Sequence, residues 1–242
     1  MIWNDEPNKA ELEIQAMLND LPCKVLFVDG NHENFNRINA LPKIKMFGSE
    51  VGRYTCNVFH LKRGHIYCIN DRNFFVQGGA LSIDKEWRVL NVSYWKQEDI
   101  TQGELDFAIS NIENFTGNID YVLSHTIPTT AVNELGKYIS IRHKIHDKNS
   151  IKLEKIYQTL QKRDFDIKAW FFGHWHDDID MKVAYNDRNM PFFCSYYTAR
   201  MLENDDIKTI DFSSRVHIDS YNRKMVLRED FEKIAVGITN AI

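Results

Sequence analysis

The sequence predicts an α/β fold. Two short runs, 24–28 and 168–172, are rich in the β-branched and aromatic residues of buried strands. Each run leads into a loop that turns at a glycine and presents polar side chains, Asp-Gly-Asn-His-Glu at 29–33 and Gly-His-Trp-His-Asp at 173–177. Because a sheet fixes the backbone and the loops at its strand ends aim the side chains, this pattern favours a metal-assisted reaction.

The N-terminal half is predicted to contain two helices and four strands. The first helix begins near Asn4 or Asp5, either of which can cap it, and ends before Asp20. Arg63-Gly64 and the segment 70–73 are typical of hairpin turns between strands. The other predicted elements are a short helix at 33–38 and strands at 24–28, 58–61, 65–69 and 74–77.

The remainder of the chain is predicted to alternate helices and strands around one long loop. Thr101 and Glu104 have capping-box spacing and predict a helix to about Asn114. Residues 126–149 show little apolar periodicity, so we interpret them as a functional loop or lid. The other predicted elements are helices at 150–163 and 228–236 and strands at 119–123, 168–172, 179–184, 192–197 and 207–210. Because the sequence has no repeats or linkers, we expect a single domain over residues 1–242.

Composition and charge narrow the class of protein. The hydrophobic fraction of 43% is ordinary for a globular domain. A net charge of −4 with scattered basic residues predicts no general attraction to nucleic acid. The four cysteines have no CxxC spacing and are expected to be reduced, buried thiols. Without a signal peptide or an apolar run of ~20 residues, we expect no membrane association and a cytoplasmic location.

Four metal-donor side chains follow three of the predicted strands: Asn31, His125, His174 and His176. In a predominantly parallel sheet these loops would share one edge, where the side chains can converge. An amide oxygen and three imidazoles suit a borderline divalent ion such as Mn, Fe, Zn, Co or Ni better than Mg. Each residue alone also has an ordinary explanation as a turn, loop or alternating strand residue, so only the combination indicates a metal site.

These spaced motifs resemble those of calcineurin-like metallophosphoesterases. The matching stretches are Gly30-Asn31-His32-Glu33, Ser124-His125 and Gly173-His174-Trp175-His176. The segments 29–35 and 78–87 look like one bacterial and phage branch of that family. The resemblance covers most of the chain and implies a four-layer α/β/β/α sandwich with a two-metal site.

The resemblance also implies a role for each motif residue. Asn31, His125 and His174 would hold one metal, and His176 would reach the other. His32 would contact the phosphate and donate a proton to the leaving oxygen. The implied reaction is hydrolysis of a phosphate mono- or diester by a metal-activated hydroxide. Asp29 is interpreted either as the partner that orients His32 or as a cap of the short helix.

Two other segments are candidates for substrate contacts. Arg142 and Lys144 in the long loop would attract phosphate, although a segment that also contains His143 and His146 is typical of an exposed basic surface as well. The aromatic and basic residues of the segment 85–95 are interpreted either as a substrate wall or as ordinary packing.

The Asp-x-His and Gly-Asp motifs of the family, which supply its carboxylate ligands, have no counterpart in this sequence. We therefore expect a sandwich that lacks its first two strands and leaves an apolar sheet edge uncovered. We expect the chain to hold at most one metal firmly and to hydrolyse phosphoesters poorly. A truncated or late-started reading frame is the favoured interpretation, and a decayed homologue is the second. The competing functions are a non-catalytic protein that binds a partner or nucleotide and a structural single-metal protein.

Overall fold

The computed structural model describes residues 2–139, 147–203 and 206–211, and the backbone of two short strands at 217–219 and 224–226. The candidate phosphate contacts Arg142 and Lys144 lie outside the described residues. The same holds for the histidine pair beside them and for the helix predicted at 228–236.

The described ranges contain both helices and strands, with long runs of consecutive strands after α2 and after α5. The helices are α1 (Lys9–Asn19), α2 (Phe35–Ala40), α3 (Gln102–Asn114), α4 (Thr129–Leu135) and α5 (Lys148–Lys162). The strands are β1 (Val25–Val28), β2 (Lys43–Met46), β3 (Ser49–Arg53), β4 (Val58–Leu61), β5 (Ile66–Ile69), β6 (Arg72–Gln77), β7 (Tyr121–Ser124), β8 (Ala169–Phe172), β9 (Ile179–Tyr185), β10 (Arg188–Cys194), β11 (Thr198–Glu203), β12 (Asp206–Asp211), β13 (His217–Asp219) and β14 (Lys224–Val226).

The strands form two main sheets of mixed direction. The first sheet has the order β1-β4-β3-β2, in which β1 and β4 are parallel and the other pairs are antiparallel. The second has the order β5-β6-β7-β8-β10-β9, with β6, β7, β8 and β10 parallel and antiparallel strands at both edges. Two-stranded ribbons, β11-β12 and β13-β14, complete the described strands.

The two sheets pack face to face and carry helices on their outer sides. Val51 and Phe59 of the first sheet share one apolar cluster with Val76 of the second. Helices α1 and α2 cover the outer face of the first sheet, where Ile38 packs near β1 and β4. Helices α3, α4 and α5 cover the second, where Leu153 joins the core of β7 and β8. The α/β/β/α sandwich implied by the sequence is confirmed. None of the helices in the described ranges is both long and apolar enough to cross a membrane.

Several local predictions were wrong for identifiable reasons. Helix α1 begins at Lys9, because Asn8 rather than Asn4 or Asp5 accepts a hydrogen bond from the first turn. Helix α4 lies inside the segment predicted as a loop. Cys56 and Cys68 are exposed, so the prediction of buried thiols was wrong for these two residues. The hairpin of β2 and β3 was not predicted, since its strands are short and rich in polar residues. The capping box of α3, by contrast, is present with both of its hydrogen bonds.

Candidate functional site

The loops after β1, β7 and β8 meet at one end of the sandwich. Oδ1 of Asn31 lies 3.0 Å from Nε2 of His125, and the rings of His125 and His174 are 5.2 Å apart and edge to face. The expectation that one parallel sheet gathers these loops was wrong, because β1 belongs to a different sheet from β7 and β8. The loops converge because the sheets face each other.

Backbone hydrogen bonds hold this end of the sandwich together. The N–H of Gly79, just after β6, donates to the carbonyl of Asp29 in the loop after β1, at 3.0 Å. The N–H of Gly173, after β8, donates to the carbonyl of His125 at 3.1 Å. The backbone that carries the donor side chains is therefore fixed across both sheets.

His174 and His176 both lie in the left-handed backbone region, with φ angles of 71° and 52°. Strand β8 ends at Phe172, so the interpretation of these histidines as alternating strand residues is wrong. This conformation costs roughly 1–2 kcal/mol for a residue that has a Cβ. Strain of this kind collects at functional sites, and here it supports a role for the side chains.

The remaining two histidines of the motifs lie beside this group. His176 is exposed and stacks on Tyr196, with the ring centroids 5.1 Å apart. His32 is partly buried, and its ring lies 5.9 Å from that of Trp3. The charge that His176 carries when protonated would act on both His32 and His174, so the imidazoles form one electrostatic group.

Low pKa values keep His125 and His174 neutral at pH 7. Burial, followed by the charge of His174, holds the pKa of His125 well below its ordinary value. Burial, followed by the charge of His176, lowers the pKa of His174 to about 4. A neutral imidazole offers a lone pair to a cation, and a metal competes with few protons at such a site.

Asp29 is fully buried, and its partners differ from both predicted ones. Its carboxylate accepts hydrogen bonds from Nη2 and Nε of Arg63, at 2.6 and 2.8 Å, and lies 2.9 Å from Nε2 of His60. Burial alone would raise the pKa of Asp29, but Arg63 and His60 outweigh it and hold that pKa well below its usual range. The side chain that caps α2 is Asn34. Asp29 therefore anchors the loop after β1 instead of orienting His32 or capping the helix.

The partner of His32 is Arg88. Nη1 of Arg88 lies 3.0 Å from Nδ1 of His32, while Asp84 accepts two hydrogen bonds of 2.8 Å from the same guanidinium. Because a guanidinium only donates, Nδ1 must accept, and the proton of the neutral ring is then on Nε2. Burial and the charge of Arg88 both lower the pKa of His32. No sequence pattern indicated this contact beyond the place of Arg88 in the segment 85–95.

Asn31 has a second contact that the sequence did not indicate. Its Nδ2 donates to Oγ of Ser82 at 3.1 Å, and Ser82 Oγ donates to Oε2 of Glu98 at 2.8 Å. All three side chains are buried. Burial raises the pKa of Glu98 to about 7.

The gathered donors suit a divalent ion in type, and one pair of them also suits it in spacing. Two donor atoms at about 2.1 Å from an ion and at right angles are about 3 Å apart, and Asn31 Oδ1 and His125 Nε2 are separated by 3.0 Å. His174 offers a third donor. Within the described ranges, however, no three His, Cys, Asp or Glu side chains form a metal-binding group. The donors that meet here are therefore one amide oxygen and two imidazoles, with no carboxylate among them.

A family model described as calcineurin-like phosphoesterase matches residues 4–178. The matched range includes all three loops of the candidate site and ends two residues after His176. No curated protein matches the chain.

Proposed function

Because the chain belongs to the calcineurin-like phosphoesterase family, we propose that it is a metal-dependent phosphoesterase that hydrolyses phosphate mono- or diesters. The observation that carries the proposal is the meeting of Asn31, His125 and His174 from three separate loops. Members of the family generally bind divalent metals. Manganese is the ion we favour, and the cytoplasm is the proposed location.

Asn31, His125 and His174 would hold the ion, with His176 beside them. When bound, such an ion polarises a phosphoryl group and lowers the pKa of a water molecule. His32 is the proposed proton donor. Its Nδ1 accepts from Arg88, so Nε2–H would hydrogen-bond the phosphate. Proton transfer to the leaving oxygen would require the ring first to gain a proton on Nδ1, with the Arg88 contact opened, so that a neutral imidazole remains after Nε2 gives up its proton.

The neutral character of the donors supports a slow enzyme that holds one ion. Asp29 and Glu98, two carboxylates of the surrounding hydrogen-bond network, are bonded to Arg63 and Ser82. No carboxylate among the gathered donors therefore offsets the charge of a second ion. The same observation favours the second candidate function, a non-catalytic protein that uses the site to bind a phosphate-containing partner or nucleotide.

Hydrolysis of bis(p-nitrophenyl) phosphate and p-nitrophenyl phosphate with added Mn²⁺ tests the proposal. We expect manganese-dependent turnover and the binding of about one Mn²⁺ per chain by calorimetry. In His125→Gln, both the rate of turnover and the affinity for Mn²⁺ should fall at least about 100-fold. His65→Gln is the control, because His65 packs on Phe107 and not among the donor histidines. A turnover rate that is the same without manganese and in His125→Gln would contradict the proposal. Binding without turnover would select the non-catalytic function.

Arg142 and Lys144 remain proposed phosphate contacts. Cationic side chains bind phosphate oxygens directly. We expect the double variant Arg142→Gln, Lys144→Gln to raise KM and leave kcat nearly unchanged. An unchanged KM would remove both residues from the site.

A further inference from the structure

A chain of three buried side chains links the candidate metal donor Asn31 to a carboxylate. Asn31 is 5% exposed, Ser82 is 1% exposed and Glu98 is 0% exposed. The hydrogen bonds run from Asn31 Nδ2 to Ser82 Oγ, at 3.1 Å, and from Ser82 Oγ to Glu98 Oε2, at 2.8 Å. Solvent does not reach these three side chains, so their own donor and acceptor groups set the direction of each hydrogen bond.

That chemistry allows one direction when Glu98 is ionised. A carboxylate only accepts, so the single hydroxyl proton of Ser82 points to Glu98. The side of Oγ that faces Asn31 then presents a lone pair and requires a donor. The Nδ2 group of Asn31 must fill that place, and Oδ1 is left to face His125.

We propose that Glu98, acting through Ser82, is a positioning residue that fixes the Asn31 amide with its oxygen toward His125. The inference rests on the proposed function, because the amide oxygen is the donor intended for the ion. The directions of the hydrogen bonds do not depend on a bound ion. Oδ1 of Asn31 lies 3.0 Å from Nε2 of His125, so in the metal-free protein this nitrogen must carry the ring proton.

Glu98 is an unfavourable residue for packing alone. Its second oxygen, Oε1, has no hydrogen-bond partner within the described part of the chain. A buried carboxylate with one unsatisfied oxygen is costly, and an apolar side chain would fill the space at lower cost. The retained hydrogen bond to Ser82 is therefore the feature that gives Glu98 a role.

Replacement of Glu98 by glutamine keeps the shape of the side chain but no longer fixes the direction of its hydrogen bond with Ser82. A glutamine amide both donates and accepts, so the hydroxyl of Ser82 can turn toward Asn31. The Asn31 amide then turns over and presents Nδ2 to His125. Nε2 of His125 becomes an acceptor, and its proton moves to Nδ1. The tautomer of His125 therefore reports the orientation of Asn31.

Long-range ¹H–¹⁵N NMR of the metal-free protein in chelator at pH 8.5 measures that tautomer. We expect the Nε2–H form in the wild type and a partial or complete shift to the Nδ1–H form in Glu98→Gln. Ser82→Ala, which removes the link, should produce a mixture and provides a second variant. Glu154→Gln is the matched control, since this carboxylate also accepts from a backbone N–H and a hydroxyl, both of Thr130.

Manganese affinity at the same pH of 8.5, where Glu98 is ionised, provides the second measurement. We expect Glu98→Gln to weaken Mn²⁺ binding about 10–100-fold and Glu154→Gln to leave it unchanged. An unchanged Nε2–H tautomer in both Glu98→Gln and Ser82→Ala overturns the positioning role, as does equal manganese affinity in wild type and Glu98→Gln. A wild type that neither binds manganese nor hydrolyses phosphoesters defeats the proposed function instead, and the tautomer then decides the positioning role alone.

Discussion

Gly30 lies directly against the imidazole of His125, with no space between them for a side chain. A Cβ placed on Gly30 would be 2.6 Å from Cε1 and 2.7 Å from Nε2 of that ring. This close approach brings His125 to within 3.0 Å of Asn31, the next residue in the loop. The glycine of the Gly-Asn-His-Glu motif is therefore required by packing between two loops that come from different sheets.

Gly30→Ala should separate the donor residues. We expect the added methyl group to push His125 away from Asn31, to weaken Mn²⁺ binding at least about 10-fold and to lower the free energy of unfolding by about 1–3 kcal/mol. Gly103→Ala in α3 is the control, because a Cβ there would meet no atom within 4 Å. That change should stabilise the protein by about 0.5–1 kcal/mol. Wild-type manganese affinity in Gly30→Ala would show that the contact is not needed.

Acid should destabilise the metal-free protein through His174. Its pKa is about 4 in the folded state and 6.5 ordinarily, so the unfolded chain binds the proton more tightly. Stability is then complete above pH 6.5 and falls as the pH drops toward 4. The full loss is about 3 kcal/mol, because each tenfold difference in proton affinity contributes about 1.4 kcal/mol. Urea unfolding in chelator between pH 4 and 7.5 should show a shallower pH dependence in His174→Gln, and parallel curves would contradict the pKa assignment.

The sequence predicted the donor residues because each follows an apolar strand. The three donors Asn31, His125 and His174 lie within three residues of the ends of β1, β7 and β8. Strand ends are readable from local composition, so these side chains were found without knowledge of the sheet order. Their convergence was predicted for the wrong reason, since it depends on two sheets facing each other and no local pattern encodes that.

Local sequence patterns did not predict the residues that contact Asn31 and His32. Ser82 and Arg88 contact Asn31 and His32 across 51 and 56 residues of sequence. Both lie between β6 and α3, in a segment whose regular structure is limited to two short 3-10 turns, at Lys85–Trp87 and Lys96–Glu98. The path of such a segment is set by tertiary contacts, so neither periodicity nor capping signals predict which of its side chains turns inward.

Asp29→Asn should destabilise the fold strongly. The change removes the charge that Arg63 pairs with, and Glu104, 3.3 Å from Nη1 of Arg63, is the other carboxylate that remains beside it. Breaking a buried pair while one charge stays in place costs about 3–5 kcal/mol. Urea unfolding at pH 7 measures the loss. The control is Glu13→Gln, whose exposed pair with Lys9 should leave the midpoint unchanged. A similar midpoint for the two variants would show that the Asp29–Arg63 pair does not hold the loop.

Arg88→Met should impair His32 without unfolding the protein. Nδ1 of His32 loses its donor, so the ring is no longer held in the Nε2–H form, and kcat should fall about 10–100-fold with little change in thermal stability. Loss of the positive charge also raises the pKa of His32, and a proton donor is active in its protonated form, so the basic limb of the kcat profile should move to higher pH. Arg53→Met at an exposed position of β3 is the control and should change neither quantity. A lower kcat with an unmoved basic limb would mean that Arg88 supports the loop and does not act on His32.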